Sequence, residues 1–307
     1  MNILRTPDER FANLTDWPYA PRYLELDGMR LHYVDEGPRD AAVTALCLHG
    51  EPSWAYLYRK MIPAFTAAGV RVVAPDFFGF GRSDKPADDA WYSFARHRDT
   101  MLRVIDALDL KDILLVCQDW GGLIGLTLPL AYEQPGPQRI TRLLVMNTGL
   151  GTGQGLGDGF LAWRAYANSQ PDLAVGRLIQ RGTQGLSDAE AAAYAAPLPD
   201  VTYKAGVRAF PNLVPDAPDA PGAALSREAA AFWRERWAGE SFMAIGMQDP
   251  VLGPPAMQAL RKLIRGCPAP MEVAEGGHFV QEHGAPVAES ALRHFGLAGE
   301  RGARADA

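Results

Sequence analysis

The chain has 307 residues and a formal net charge of −6; 48% of its residues are hydrophobic and 21% are charged. These proportions are typical of a soluble globular protein, and a negative chain without a Lys/Arg cluster is not expected to bind nucleic acid. No apolar stretch is long enough to span a bilayer, and residues 1–17 do not form a secretory signal. Three cysteines without a recognisable spacing favour a reduced, cytoplasmic protein.

The first half of the sequence predicts strands that alternate with helices. Residues 23–26 and 29–34 alternate with period two around Asp27-Gly28, which predicts a β-hairpin. Apolar runs predict four buried strands, at residues 43–48, 70–76, 113–116 and 140–147. The segments between these strands predict three helices, at residues 56–68, 93–108 and 123–130.

The alternation is interrupted after residue 148. Residues 149–159 contain six glycines in eleven residues, which predicts a flexible hinge, and they lack G-x-G-x-x-G in register, so a dinucleotide loop is not expected. Residues 160–225 are Ala-rich with a helical pattern, broken by prolines at 197–199 and 211–221. We therefore expect a helical cap at 149–225, inserted between two parts of a core at 1–148 and 226–307.

The alternation resumes after the cap. The remaining pattern predicts helices at 226–237, 254–264 and 286–295, strands at 242–247 and 271–274, and a frayed tail at 297–307. Strands that alternate with helices predict an α/β protein with a mostly parallel sheet covered on both faces. Ligands of such sheets bind beyond the carboxyl ends of the strands. Four positions fall directly after a predicted strand and should meet there: the loop at Glu51, Asp119, Asp249 and His278.

The segment Cys117-Gln118-Asp119-Trp120-Gly121-Gly122 lies between a predicted strand and a predicted helix. This is the layout of a nucleophile elbow with aspartate in place of serine, and Gly-x-Ser-x-Gly occurs nowhere in the chain. The order Asp119, Asp249, His278 is the nucleophile, acid and base order of α/β-hydrolases. A carboxylate nucleophile can attack an sp³ carbon and form an alkyl ester of the enzyme.

Hydrolysis of such an ester requires a base and an oxyanion hole. His278 would deprotonate a water molecule, and Asp249 would orient the imidazole ring. The backbone N–H groups of Glu51 and Trp120 are expected to form the oxyanion hole. No spacing of His, Cys, Asp and Glu predicts a metal site.

Four motifs in this order resemble those of the haloalkane dehalogenases, in particular their first subfamily. They are His49-Gly50-Glu51-Pro52-Ser53-Trp54, Gln118-Asp119-Trp120-Gly121-Gly122, Gly246-Met247-Gln248-Asp249 and Gly277-His278-Phe279-Val280-Gln281-Glu282. The resemblance covers roughly residues 20–297 and implies an α/β-hydrolase fold with an inserted helical cap. It also implies hydrolysis of a carbon–halogen bond to an alcohol, a halide ion and a proton, without a cofactor.

Carried over by position, the resemblance makes Asp119 the nucleophile, Asp249 the acid and His278 the base. Two indole N–H groups, those of Trp120 and Trp163, would bind the leaving halide; the alternative for Trp163 is a core residue of a cap helix. Asn147 rather than a carboxylate ends the strand before the cap, which favours Asp249 as the acid.

The resemblance also implies an apolar pocket between core and cap for a small halogenated alkane. We expect its walls to be formed by Phe160, Trp163, Phe210, Pro211, Val214, Val251 and Leu252. The expected assembly is a monomer.

Two alternatives stay open at this point. An epoxide hydrolase shares the aspartate nucleophile and the His/Asp pair but needs acid donors, usually cap tyrosines, and the cap contains Tyr166, Tyr194 and Tyr203. A hydrolase-like fold can also serve as a binding module, although a complete nucleophile, acid and base argue against this.

Overall fold

The computed structural model of the chain describes residues 2–133 and 136–298. Its centre is an eight-stranded sheet in the order β1-β2-β4-β3-β5-β6-β7-β8. The strands are β1 (Arg22–Leu26), β2 (Met29–Glu36), β3 (Thr44–Leu48), β4 (Arg71–Pro75), β5 (Ile113–Gln118), β6 (Ile140–Met146), β7 (Glu240–Gly246) and β8 (Met271–Val273). The pairs β1–β2 and β2–β4 are antiparallel and the other five pairs are parallel, so the predicted mostly parallel sheet is confirmed.

The two central strands explain why the sheet needs helices on both faces. Every residue of β3 and β5 is buried, including Cys47 and Cys117, which are free thiols. The helices are α1 (Ile62–Ala67), α2 (Phe94–Ala107), α3 (Trp120–Gly125), α4 (Asp158–Asn168), α5 (Val175–Arg181), α6 (Asp188–Ala195), α7 (Ala205–Leu213), α8 (Ala223–Ala231), α9 (Pro254–Leu263) and α10 (Gly284–His294). The tail predicted at 297–307 lies outside the described residues from 299 onward.

Several predicted helices are shorter than their apolar pattern. The segment 56–68 forms a 3₁₀ turn, Ala55–Tyr58, and then α1, which starts around Pro63 because proline lacks the N–H that an interior position must donate. The segment 123–130 divides in the same way into α3 and a 3₁₀ turn at Leu128–Tyr132 that contains Pro129. The segment 226–237 ends in a π-helical turn, Phe232–Arg236.

The predicted break at 211–221 begins three residues later than expected. Helix α7 continues through Pro211 to Leu213, and the chain is non-helical from 214 to 222. Because Pro211 lies in the last turn, the helix continues past it and loses only the one hydrogen bond that the missing N–H would have donated.

Three of the six glycines in segment 149–159 are packed closely against their surroundings. A Cβ atom on Gly151 would lie 2.6 Å from Cδ of Pro215, and one on Gly153, whose φ is +78°, would lie 2.3 Å from the carbonyl oxygen of Ala217. A Cβ on Gly159 would lie 2.6 Å from the carbonyl oxygen of Pro250. Close packing thus requires glycine at these three positions, whereas a Cβ at Gly149, Gly155 or Gly157 would meet open space. Gly159 brings the start of α4 against the loop that carries Asp249.

A cluster of buried charges joins the four cap helices, α4 to α7, to the core. The Arg59 guanidinium contacts Glu282 at 2.6 Å and Glu190 of α6 at 2.5 Å. Glu282 also pairs with Lys60 at 2.9 Å and accepts a hydrogen bond from Tyr194. Burial opposes ionisation of Glu190, but the Ser187 N–H and hydroxyl and the Arg59 charge outweigh it and lower the pKa of Glu190 to about 2. Since Glu282 lies four residues after His278, the cluster anchors the cap beside the loop of the predicted base.

We expect Arg59→Met to lower the free energy of unfolding by about 3–5 kcal/mol, because it leaves two buried carboxylates without their main cation. Urea unfolding at pH 7 measures this loss. The matched control is Arg177→Met, which removes an exposed partner of Asp188 and should change the free energy of unfolding far less, because solvent screens an exposed ion pair. Equal losses in the two variants would contradict the role of the buried cluster.

Candidate active site

Asp119 lies in a strained turn between β5 and α3. Its backbone has φ +50° and ψ −124°, a conformation that non-glycine residues rarely adopt. The turn is pressed against the ends of two neighbouring strands. A Cβ on Gly121 would lie 1.9 Å from the carbonyl oxygen of Leu48, and one on Gly122 would lie 2.1 Å from Oγ1 of Thr148. The glycines are therefore required by space, and the turn has the geometry of the predicted nucleophile elbow.

The three predicted catalytic side chains meet at the carboxyl end of the sheet. Nε2 of His278 lies 3.6 Å from Oδ2 of Asp119, and its Nδ1 lies 2.8 Å from Oδ2 of Asp249. The chain separates these residues by up to 159 positions, and the parallel strands bring them together. The arrangement has the geometry of nucleophile, base and orienting acid.

Asp249 is held as a carboxylate by a dense set of donors. Its Oδ1 accepts hydrogen bonds from the N–H groups of Val251 at 2.8 Å and Leu252 at 3.1 Å, and its Oδ2 accepts one from Asn147 at 2.9 Å. Burial opposes ionisation, but the His278 charge and these donors outweigh it and hold the pKa of Asp249 well below its usual range. Asn147, which directly follows β6, is therefore a hydrogen-bond donor to Asp249 and not an alternative acid.

The two carboxylate oxygens of Asp119 have different neighbours. Oδ1 accepts a hydrogen bond of 2.8 Å from the Glu51 N–H, whereas Oδ2 faces His278. Trp120 occupies the first position of α3, where a helix leaves its N–H groups without intrahelical partners. Glu51 N–H thus contacts Asp119 as an oxyanion-hole donor should, and Trp120 N–H is available beside it.

The Glu51 side chain has an environment that its sequence position did not predict. The residue is buried, and its Oε1 has no hydrogen-bond partner among the described residues. Burial, together with the neighbouring charge of Asp119, raises the pKa of Glu51 well above its ordinary value. The surroundings of Glu51 thus favour its neutral, protonated form, beside the carboxylate of Asp119.

Trp120 differs from the other buried tryptophans in the use of its indole N–H. Trp54, Trp233 and Trp237 each donate to a protein oxygen. Trp120 is only 2% exposed and packs against Phe210 at 4.7 Å between ring centroids, yet in the described part of the chain its indole N–H makes no such hydrogen bond. Trp120 is not among the residues that line the cavity described below, but an indole donor without a protein partner is a candidate for binding a ligand atom.

A cavity of about 710 Å³ connects the site to the cap. Asp119, Asp249 and His278 all line this cavity. Four of the seven predicted wall residues, Phe160, Trp163, Val251 and Leu252, also line it. A polar segment that the sequence reading missed also lines it, at Gln180, Arg181, Thr183 and Gln184.

Three other predicted wall residues do not line this cavity. Phe210 is fully buried beneath Trp120, so it supports the indole rather than the substrate space. Pro211 and Val214 instead accept hydrogen bonds through their carbonyl oxygens from Arg164, at 2.9 and 3.4 Å. Their apolar side chains suggested a pocket wall, but they belong to the contact that holds α4 against α7.

Arg164 is a functional neighbour that the sequence pattern did not reveal. Besides those two carbonyl contacts, it pairs with Asp216 at 2.7 Å, and its guanidinium lies 5.1 Å from the ring centroid of Phe160. It follows Trp163 directly in α4 and so fixes the helix that carries this indole. An arginine in an Ala-rich helix gives no signal of such a role.

The three cap tyrosines do not line the cavity. Tyr194 is buried and donates to Glu282, and the hydroxyl of Tyr166, a residue 39% exposed, accepts from Arg181 at 3.1 Å. Neither these two residues nor Tyr203 is among the described residues that line the cavity.

In the described part of the chain, no group of three or more His, Cys, Asp or Glu side chains could hold a metal ion.

Comparison with known proteins identifies the family. Residues 45–285 match the model of the α/β hydrolase fold. A haloalkane dehalogenase of Psychrobacter cryohalolentis is 48% identical over 293 residues, which cover 92% of this chain and 94% of the relative. The chain belongs to the haloalkane dehalogenase family. The haloalkane dehalogenase 1 of Mycobacterium tuberculosis is 44% identical over 95% of this chain and 98% of its own length.

A solved haloalkane dehalogenase has the same structure almost throughout. DpaA from Paraglaciecola agarilytica NO2 is 49% identical, has a TM-score of 0.93 and is matched over 96% of this chain and 99% of its own. The predicted α/β-hydrolase fold and hydrolase activity of a haloalkane dehalogenase are thereby confirmed. DpaA is described as tetrameric; the monomer and the cytoplasmic location expected here stay predictions. No helix in the part described is long and apolar enough to cross a membrane.

Proposed function

We propose that this haloalkane dehalogenase cleaves small haloalkanes through an alkyl ester on Asp119. Oδ2 of Asp119 attacks the halogen-bearing carbon from the side opposite the halogen, forming a C–O bond while the carbon–halogen bond breaks. The choice of oxygen is supported by the contacts of the free side chain, since Oδ1 already accepts from the Glu51 N–H. The halide leaves with the bonding electron pair.

The departing halide is stabilised by the indole N–H groups of Trp120 and Trp163. An indole is a donor without a lone pair that would repel an anion, and such a donor acts most strongly where charge develops in the transition state. The unpartnered indole N–H of the buried Trp120 is the single observation that favours halide chemistry most. The position of Trp163 in the cavity wall supports it as the second donor.

His278 then activates water for hydrolysis of the ester. Nε2 takes a proton from water as the oxygen attacks Cγ of Asp119, and the N–H groups of Glu51 and Trp120 bind the oxyanion on Oδ1. Collapse releases the alkoxide, which takes the proton from His278 and leaves as a primary alcohol, while the OH from water stays on Asp119. The resulting carboxylic acid loses its proton to solvent, which restores the Asp119 carboxylate and accounts for the proton that the reaction releases. Asp249 stabilises the imidazolium between these steps.

The expected substrate is a small halogenated alkane because Phe160, Val251 and Leu252 give the cavity apolar walls. Assignment to the first subfamily is supported by Glu51 and by an acid placed after the cap. The epoxide alternative has no supporting contact, since its tyrosine donors lie outside the cavity lining.

We expect His278→Gln to stop the reaction at the ester. With 1,2-dibromoethane the variant should release about one bromide per chain and then stop, because the alkyl-enzyme forms without a base to hydrolyse it. Intact-protein mass spectrometry should show an added bromoethyl group, and peptide mapping should place it on Asp119.

The control for this experiment is Asp119→Asn, which keeps the side-chain shape and should release no bromide. A His278→Gln variant without an adduct would contradict the two-step mechanism. Wild-type turnover of styrene oxide without bromide release from dibromoethane would reverse the order of the two candidate functions.

Trp163→Phe should weaken halide binding about tenfold or more, because hydrogen bonds to a charged group contribute roughly 1.5–3 kcal/mol. The inhibition constant of bromide measures the loss. Phe160→Leu changes the same wall without removing an N–H donor and serves as the control. An unchanged inhibition constant in Trp163→Phe would make Trp163 a packing residue of α4.

A further inference from the structure

Gln118 contacts the ring of His278 from a fully buried position. It is the last residue of β5 and directly precedes Asp119. Its Nε2 lies 2.9 Å from Nε2 of His278 and 3.0 Å from the carbonyl oxygen of the same residue. A single amide group thus reaches both the backbone of the base and the ring nitrogen that has to accept a proton.

The backbone contact determines which way the amide faces. A carbonyl oxygen can only accept, so the NH₂ group rather than Oε1 must face His278 O. The same NH₂ group then donates its second hydrogen to Nε2 of His278. Oε1 of Gln118 has no hydrogen-bond partner among the described residues. The amide is therefore oriented by the contacts of its NH₂ group and not by a hydrogen bond to its oxygen.

A donor at Nε2 requires a lone pair there. The neutral ring that satisfies this contact carries its proton on Nδ1, where it donates to Asp249 Oδ2 at 2.8 Å. This is the tautomer of a general base. An imidazolium would instead point a second N–H at the Gln118 N–H, so the contact disfavours the protonated ring.

The charged groups around His278 favour its protonated form, in contrast to the contact with Gln118. Asp249 faces Nδ1, Asp119 faces Nε2 at 3.6 Å, and Glu51, which is close enough to interact with both, belongs to the loop after β3. Burial disfavours the imidazolium, but Asp249 and Asp119 outweigh it and raise the pKa of His278. An imidazolium paired with Asp119 would leave the enzyme without a base and with a neutralised nucleophile.

We propose that Gln118 is a positioning residue that holds His278 in the Nδ1–H tautomer and opposes its protonation by Asp119. The inference rests on the proposed role of His278 as the base. Gln118 keeps the nucleophile and the base from neutralising each other before substrate binds. Once Asp119 is esterified and has lost its charge, Gln118 still favours the neutral ring that hydrolysis needs.

The test compares Gln118→Met with the wild type over a range of pH. Methionine keeps the length of the side chain but donates no hydrogen, so the imidazolium is no longer disfavoured. The acid limb of the kcat profile should move up by about one pH unit, the typical size of a shift from one such contact. Gln118→Glu, whose carboxylate accepts from Nε2–H, should move it further in the same direction.

Gln248→Met is the matched control. Like Gln118, Gln248 donates to a backbone carbonyl of the His278 loop, at Ala274 and 3.0 Å, but this contact does not involve the imidazole ring. The acid limb of this variant should stay where it is in the wild type. If Gln118→Met lowers kcat or the melting temperature without moving the acid limb, the proposed role is overturned.

A second measurement does not depend on turnover. Titration of ¹⁵N-labelled histidine followed by NMR gives the pKa of His278 and the protonated nitrogen of its neutral form. We expect Nδ1–H in the wild type and a pKa about one unit lower than in Gln118→Met. Equal pKa values, or a proton on Nε2 of the neutral wild-type ring, would overturn the inference even if the ester on Asp119 is confirmed. A lower wild-type pKa supports it even if that ester is not found.

Discussion

The fit of the Asp119 turn against the ends of β3 and β6 is the constraint on which the site depends. Gly121 lies where any Cβ would collide with Leu48 O, and Thr148 Oγ1 donates to the Asp119 carbonyl at 2.7 Å. These contacts hold a backbone conformation that is unfavourable in isolation. They lift the Asp119 carboxylate to the position where Glu51 N–H binds one oxygen and His278 faces the other. The strain is local, and the buried sheet beneath it supplies the rigidity.

Three carboxyl groups in this site have different surroundings because their hydrogen-bond donors differ. Asp249 has two backbone N–H groups, Asn147 and His278 as donors, and it stays ionised. Glu51 is buried beside a negative charge, and a neutral acid is the form that this surrounding favours. Asp119 accepts a hydrogen bond from the Glu51 N–H through one oxygen and faces His278 with the other. The distribution of donors, more than the number of carboxylates, distinguishes the three groups and agrees with the roles proposed for them.

The sequence was sufficient to predict what depends on strand order and on short motifs. Asp119, Asp249 and His278 each follow a buried strand, so a parallel sheet had to bring them together. The cap was harder, because its contacts depend on side chains without a periodic signal. Phe210 and Val214 are as apolar as Phe160, but only Phe160 lines the cavity. The path of the chain through the cap decides this, and the apolar pattern does not show it. Apart from its place in the elbow, Gln118 has no sequence feature that predicts a function, because its contact is with His278, 160 residues away in the chain.

The origin of the oxygen atom in the product tests the account most directly. With enzyme in excess over haloalkane in H₂¹⁸O, the alcohol of the first turnover should contain ¹⁶O, because its oxygen comes from Oδ2 of Asp119. The label should appear in the Asp119 side chain, as mass spectrometry of the corresponding peptide would show. An alcohol that carries ¹⁸O in the first turnover, with Asp119 unlabelled, would mean that water attacks the substrate directly and would contradict the alkyl-enzyme ester.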